Sequence, residues 1–132
     1  MKPNLKVINS AFDETTRIST TTILTDIGQF TGIAKLHPDD AQYASRYAGC
    51  RYAEIRATIK YLKAKKTMMR TQIKELYRLL NQIKSRKDRN SIEEVVNIYK
   101  NQIENCNKYI LLLKDNLQKS IKEREKIIDK NV

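Results

Sequence analysis

The chain has 132 residues, a formal net charge of +11, 40% hydrophobic residues, no Trp, three Gly and two Pro. That composition predicts one domain of long, uninterrupted elements with an aliphatic and tyrosine core. It excludes a membrane span, since no apolar run approaches the ~20 residues required, and the absence of a secretion-signal block at Met1-Lys2-Pro3-Asn4 fits a cytosolic setting.

The first third reads as strands. Leu5 to Phe12 is one candidate, and Thr16 to Thr25 is dense in β-branched residues that suit an extended pleat. Asp26-Ile27-Gly28 supplies a turn, with Gly28 free to take positive φ. Gln29 to Leu36 then returns, with Phe30, Gly32, Ala34 and Leu36 on one face. A two-stranded hairpin is marginal in water, so this sheet part (5–36) must lie on a helix.

His37-Pro38-Asp39-Asp40 predicts a helix start, because Pro lacks a donor that has no partner there and acids favour the positive dipole end. A heptad pattern follows over 39–85. One seam position holds Tyr52, Ile59, Lys66, Ile73 and Leu80; the other holds Ala48, Ile55, Leu62, Met69, Leu76 and Ile83. Lys66 is a register or partner-choice device on that seam. The polar run Ser85 to Asn90 predicts a loop, and Ser91-Ile92-Glu93-Glu94 matches a capping box that opens a second helix over 91–129. Its seam is Ile92, Val96, Tyr99, Ile103, Cys106, Ile110, Leu113 and Leu117.

Two long helices joined by a short loop run antiparallel. The expected fold is therefore α+β and mainly α: an N-terminal antiparallel sheet packed on a helical, coiled-coil hairpin within a single domain. Gly49, Ala53 and Ala57, preceded by Ala41, Ala44 and Ala48, keep the start of the first helix shallow for the sheet. Off the seams, Tyr61 and Met68 on the first helix and Leu111, Leu112, Ile121 and Ile128 on the second need cover. The sheet or a second copy would provide it, and a four-helix dimer is expected.

The charge is segregated. Between Arg46 and Arg89 stand 14 Lys/Arg against three acids, while the rest of the chain carries 12 of each sign. Arg56, Lys60, Lys63, Arg70, Lys74 and Lys84 recur at helical spacing beside the seam, with Tyr77 among them. Arg86, Lys87 and Arg89 extend the row into the expected loop. Such a row neutralises phosphates without reading sequence. The competing reading is a solvated flank paired to acids of the second helix, but Lys100, Asn107 and Lys114 occupy the facing positions and acids are few there.

Chemistry finds no purchase. His37 is the only histidine and caps a turn, Cys106 falls on a seam, and Cys50 has no base beside it. No phosphate-cradling glycine loop, metal spacing or catalytic triad pattern is present. A non-enzymatic protein without cofactor is expected.

Phe30-Thr31-Gly32-Ile33-Ala34-Lys35-Leu36-His37-Pro38-Asp39-Asp40, followed by Ser45, Gly49 and Ala53-Glu54-Ile55-Arg56-Ala57, resembles small proteins of unassigned function in phage and prophage genomes. The resemblance spans about 30 residues and implies a mobile-element origin and a host-cytoplasm setting. It brings no activity. The expected function is an accessory protein that docks its basic helix on nucleic acid or a nucleoprotein complex, an RNA-guided host nuclease being one such target in an anti-defence role. A structural or assembly protein using the coiled coil for contacts is the alternative.

Overall fold

A computed structural model describes residues 5–35 and 46–130. Three strands, β1 (Leu5–Asp13), β2 (Ile18–Thr25) and β3 (Gly28–Lys35), precede two helices, α1 (Arg46–Leu80) and α2 (Arg86–Lys130). The fold is α+β and mainly α. The expected helix start at His37 to Asp40, with Ala41 and Ala44, lies outside the described residues, as do the side chains of Ala48, Ile121 and Ile128.

The strands form an antiparallel meander in the order β1-β2-β3. Asp26 and Ile27 make the two-residue loop between β2 and β3, and Gly28 takes φ +128°, a conformation L side chains rarely adopt. At the other turn Asp13 Oδ1 accepts from Thr15 N at 2.8 Å, and Arg17 N donates to Asp13 O at 2.7 Å with Arg17 at φ +58°. β1 carries a register shift between Val7 and Asn9.

Ser19, Thr21, Ile23, Gly32 and Ala34 form the sheet face buried on α1. All but Ile23 are small, because the two backbones nearly touch. A Cβ on Gly32 would stand 1.9 Å from Ala53 O and 2.5 Å from Ala57 N; one on Gly49 would stand 2.3 Å from Ser19 Oγ. Thr21 Oγ1 reaches the helix backbone itself, donating to Cys50 O at 3.0 Å. The shallow surface expected at Gly49, Ala53 and Ala57 is where the sheet sits.

One turn further on, Tyr61 fills the end of this layer. Expected to need cover off the seam, it is buried beneath the β2–β3 hairpin, its ring 5.7 Å from that of Phe30. Its hydroxyl donates to Asp26 Oδ1 at 2.6 Å, and Lys65 Nζ donates to Asp26 Oδ2. The Lys65 hydrogen bond first, then that of Tyr61, holds the Asp26 carboxyl below the usual carboxylate range. Burial, then the bond to Asp26, raises the Tyr61 hydroxyl above its ordinary value.

The helices run antiparallel, as Lys66 bonded to Asn107, Lys100 over Tyr77 and Arg89 on Leu80 show in order toward the turn. Ile59, Leu62, Met69, Cys106 and Ile110 belong to one buried cluster that also takes in Ile23 and Tyr61, so sheet and hairpin share a core. Ile73, Leu80 and Val96 are buried too; Lys66, Ile103, Leu113 and Leu117 are half-buried.

The turn departs from expectation. α2 begins at Arg86, not after Asn90, and the capping box at Ser91 is not used. Ser85 starts the helix instead: its carbonyl accepts from Arg89 N at 3.0 Å, and its Oγ lies 3.5 Å from Asp88 N. Ser91, inside the helix, donates back to Lys87 O at 3.2 Å. Ser85 with Asp88 has the same serine-to-acid spacing as Ser91 with Glu94. The tertiary fold decides between them, because α1 already stops at Leu80 and Arg89 has to reach it.

Two outcomes follow from this packing. Gly32→Ala forces backbone from backbone and should lower unfolding free energy by about 3 kcal/mol or more, the upper range for overpacking. Gly49→Ala meets a movable hydroxyl, recovers up to about 1 kcal/mol of helix propensity, and should cost less; urea unfolding of both ranks them. Asp26→Asn should lose at most about 1 kcal/mol at neutral pH, since the pair is partly exposed. Because the folded Asp26 pKa is depressed, its contribution is full above the unfolded carboxylate value of about 3.9 and fades as pH falls through the folded one. The gap between wild type and variant in a urea series should close at the acid end.

Candidate polyanion-binding face

Three sides of α1 have different fates. Gly49, Ala53, Ala57 and Tyr61 meet the sheet, while Ile59, Leu62, Met69 and Ile73 form the buried stripe toward α2. At 3.6 residues per turn the flank between them carries Arg56, Lys63, Arg70 and Tyr77 at seven-residue steps, with Lys60 and Lys74 beside them. All six are exposed.

The structure divides this row. Arg56 Nη1 donates to Ile33 O at 2.8 Å and Lys60 Nζ to Thr31 O at 2.8 Å. Those alternate carbonyls belong to the outer edge of β3, an edge strand with no neighbour beyond it among the described residues. Arg56 and Lys60 thus guard a sheet edge while keeping their charge at the surface. Lys63, Arg70, Lys74, Lys84, Arg86 and Lys87 are exposed, and their side chains make no hydrogen bond or ion pair with any described residue.

Arg89 has another task. Half-buried, its Nη1 donates to Leu80 O at 2.7 Å and Ile83 O at 3.2 Å, satisfying carbonyls that the end of α1 leaves without helical partners. It was expected in a polyanion-binding loop; its guanidinium closes the interhelical turn. Arg86 and Lys87, also expected in a loop, sit in the first turn of α2 with Asp88 as the only acid there. Cations at that end oppose the helix dipole, each at a cost of about 0.3–1 kcal/mol.

The second helix adds to the same face. Lys100 Nζ stands 5.4 Å over the Tyr77 ring, and Asn107 holds Lys66, so the flank of α2 carrying positions 100, 107 and 114 opens on the side of the α1 row. Lys100 and Lys114 read in sequence only as residues unable to neutralise the row. Their seven-residue spacing was the available signal that they extend it. Glu93, one heptad before Lys100, is the exposed acid on this flank; of the others, Glu104 pairs with Lys108 at 3.7 Å, Asp115 with Lys119 at 3.3 Å and Glu75 with Arg78. No ion pair joins α1 to α2 among the described residues.

Cys50 and Cys106 are unpaired, and burial raises the Cys106 thiol, away from a nucleophile. Among the described residues no group of His, Cys, Asp and Glu could hold a metal ion, and no helix is long and apolar enough to cross a membrane. A cleft of about 280 Å³ between α1, α2 and Leu5 is lined by the Arg51–Glu54 pair, Thr58 and Tyr109, without a nucleophile beside a base.

Arg89→Ala should destabilise the protein by about 1–2 kcal/mol through the lost carbonyl bonds while leaving the exposed cation row intact, a separation that thermal unfolding and a polyanion-binding assay would show together. No family model, curated protein or solved structure matches this chain.

Proposed function

We propose that the chain is a non-catalytic accessory protein that docks the cationic face of its hairpin on the phosphate backbone of a nucleic acid, free or within a nucleoprotein complex. The observation that carries this reading is the row Lys63, Arg70, Lys74, Lys84, Arg86 and Lys87, exposed and unpaired among the described residues. From Lys63 to the turn it extends roughly 30 Å at about 1.5 Å per residue, close to one turn of duplex, about 34–36 Å. Intramolecular neutralisation would stabilise the monomer, and the fold forgoes it. Arg86 and Lys87 even work against the dipole of their own helix, the kind of local conflict that belongs at functional surfaces.

The chemistry of the face is backbone recognition. Cations in a row release condensed counterions and bind without sequence preference. Lys66, expected as a register device, supports the same face from within by its bond to Asn107. Tyr77, exposed under Lys100, offers a stacking surface beside the row. In the phage setting that the N-terminal pattern suggests, a host nucleoprotein such as an RNA-guided nuclease is the target proposed, with inhibition as the outcome. A second reading, an assembly protein, draws on the half-exposed apolar side chains of α2.

Fluorescence anisotropy with a short duplex DNA and an RNA duplex across a salt series tests the first reading. Six phosphate contacts would give a slope of log K against log salt near about −5. Lys63→Glu/Arg70→Glu/Lys74→Glu should weaken binding more than about tenfold and reduce the slope by about 3, with helical content unchanged by circular dichroism. Binding that ignores both salt and the triple substitution would remove the proposal. Pull-down from infected cells with nuclease treatment then separates a nucleic-acid tether, lost on treatment, from a protein target that survives it.

A further inference from the structure

α2 carries a second stripe that the hairpin does not use. Val95, Ile98, Gln102, Asn105, Tyr109 and Leu112 follow one another at alternating three- and four-residue steps, the spacing of a helix–helix seam. They lie beside the stripe packed on α1, on the flank away from Lys100 and Asn107. Val95, Ile98 and Leu112 are 39%, 54% and 53% exposed. Asn105 is exposed, and Gln102 and Tyr109 are half-buried, Tyr109 also packing on the core cluster. A helix surface with apolar residues at this spacing around a polar centre has the form of an interface whose register is fixed by amides.

We infer that this stripe pairs with the same stripe of a second copy, the two α2 helices running antiparallel about a two-fold axis between residues 102 and 105. In that register Gln102 faces Asn105 of the other copy, Ile98 faces Tyr109, and Val95 faces Leu112. Amide meets amide in the two central layers and apolar meets apolar in the four outer ones. Sliding by one heptad sets Gln102 against Leu112 and Ile98 against Asn116, leaving amides unpaired against aliphatic side chains.

Charge selects the direction. A parallel pair would bring together the two turns that carry Lys84, Arg86 and Lys87, and would set the two sheets side by side at the other end. The antiparallel pair puts each cationic turn beside the other copy's sheet end and separates the turns by the length of the hairpin, which lowers repulsion between two chains of net charge +11. The cationic faces stay uncovered, so the pairing does not depend on what they bind.

Sedimentation velocity over a wide concentration range tests the state, and cysteine cross-linking in a Cys50→Ser background tests the register. The wild-type chain should sediment as a dimer. Mixing Val95→Cys with Leu112→Cys chains should give a mixed disulfide dimer on mild oxidation, whereas Ile98→Cys should not couple to itself, its two copies lying roughly 16 Å apart along the axis. Ile98→Glu/Leu112→Glu should sediment as a monomer with unchanged helical content. A monomeric wild type, efficient Ile98→Cys self-coupling, or a dimer that survives the double glutamate substitution would each overturn the inference.

Discussion

The arrangement depends on how closely β3 and β2 can lie on the first turns of α1. Gly32 against Ala53 and Ala57 brings backbone within reach of backbone, and Gly49 leaves room for the Ser19 side chain. A single added methyl group at Gly32 would occupy space already filled by a helix carbonyl. Because the layers are this close, Thr21 can donate to a main-chain oxygen of the helix, and the β2–β3 hairpin tip reaches Tyr61 and Lys65. The Asp26 anchor is a consequence of the close approach and then locks the hairpin's direction.

The same approach decides the fate of the charges. With the sheet on one side of α1 and α2 on another, a flank between them stays open, and the row from Arg56 to Lys74 lies there. The first two, Arg56 and Lys60, lie next to the β3 edge and cover carbonyls that would otherwise invite another strand. Beyond the end of the sheet no such partner exists, so Lys63, Arg70 and Lys74 continue as free charge. One row thus has a structural beginning and an open continuation, and Arg89 gives it a structural end at the turn.

Electrostatics alone would favour a different sequence. Acids on α2 at positions 100, 107 and 114 would neutralise the row across the hairpin; Lys, Asn and Lys stand there. The hairpin is held by its apolar stripe and the Lys66–Asn107 bond, which tolerate uncompensated charge nearby because that charge is solvated and screened.

Much of this was legible without coordinates. β-branched density and Gly28 marked the strands, and the two heptad series picked out seam residues that, wherever their side chains are described, are buried or half-buried, because amphipathic periodicity is a direct record of which face leaves water. Small residues at Gly49, Ala53 and Ala57 announced where the sheet would rest. Three things required the folded chain. Ser85 and Ser91 offer equivalent local caps, and only the position of α1's end chooses between them. Arg56, Lys60 and Arg89 read as free cations because their partners are main-chain carbonyls, which carry no sequence signature. The union of Lys100 and Lys114 with the α1 row depends on which flanks an antiparallel hairpin brings to one side. Sequence fixed the periodicities and the charge count, both local properties of the chain; the tertiary structure determined which charges are satisfied, since that depends on distances between segments far apart along it.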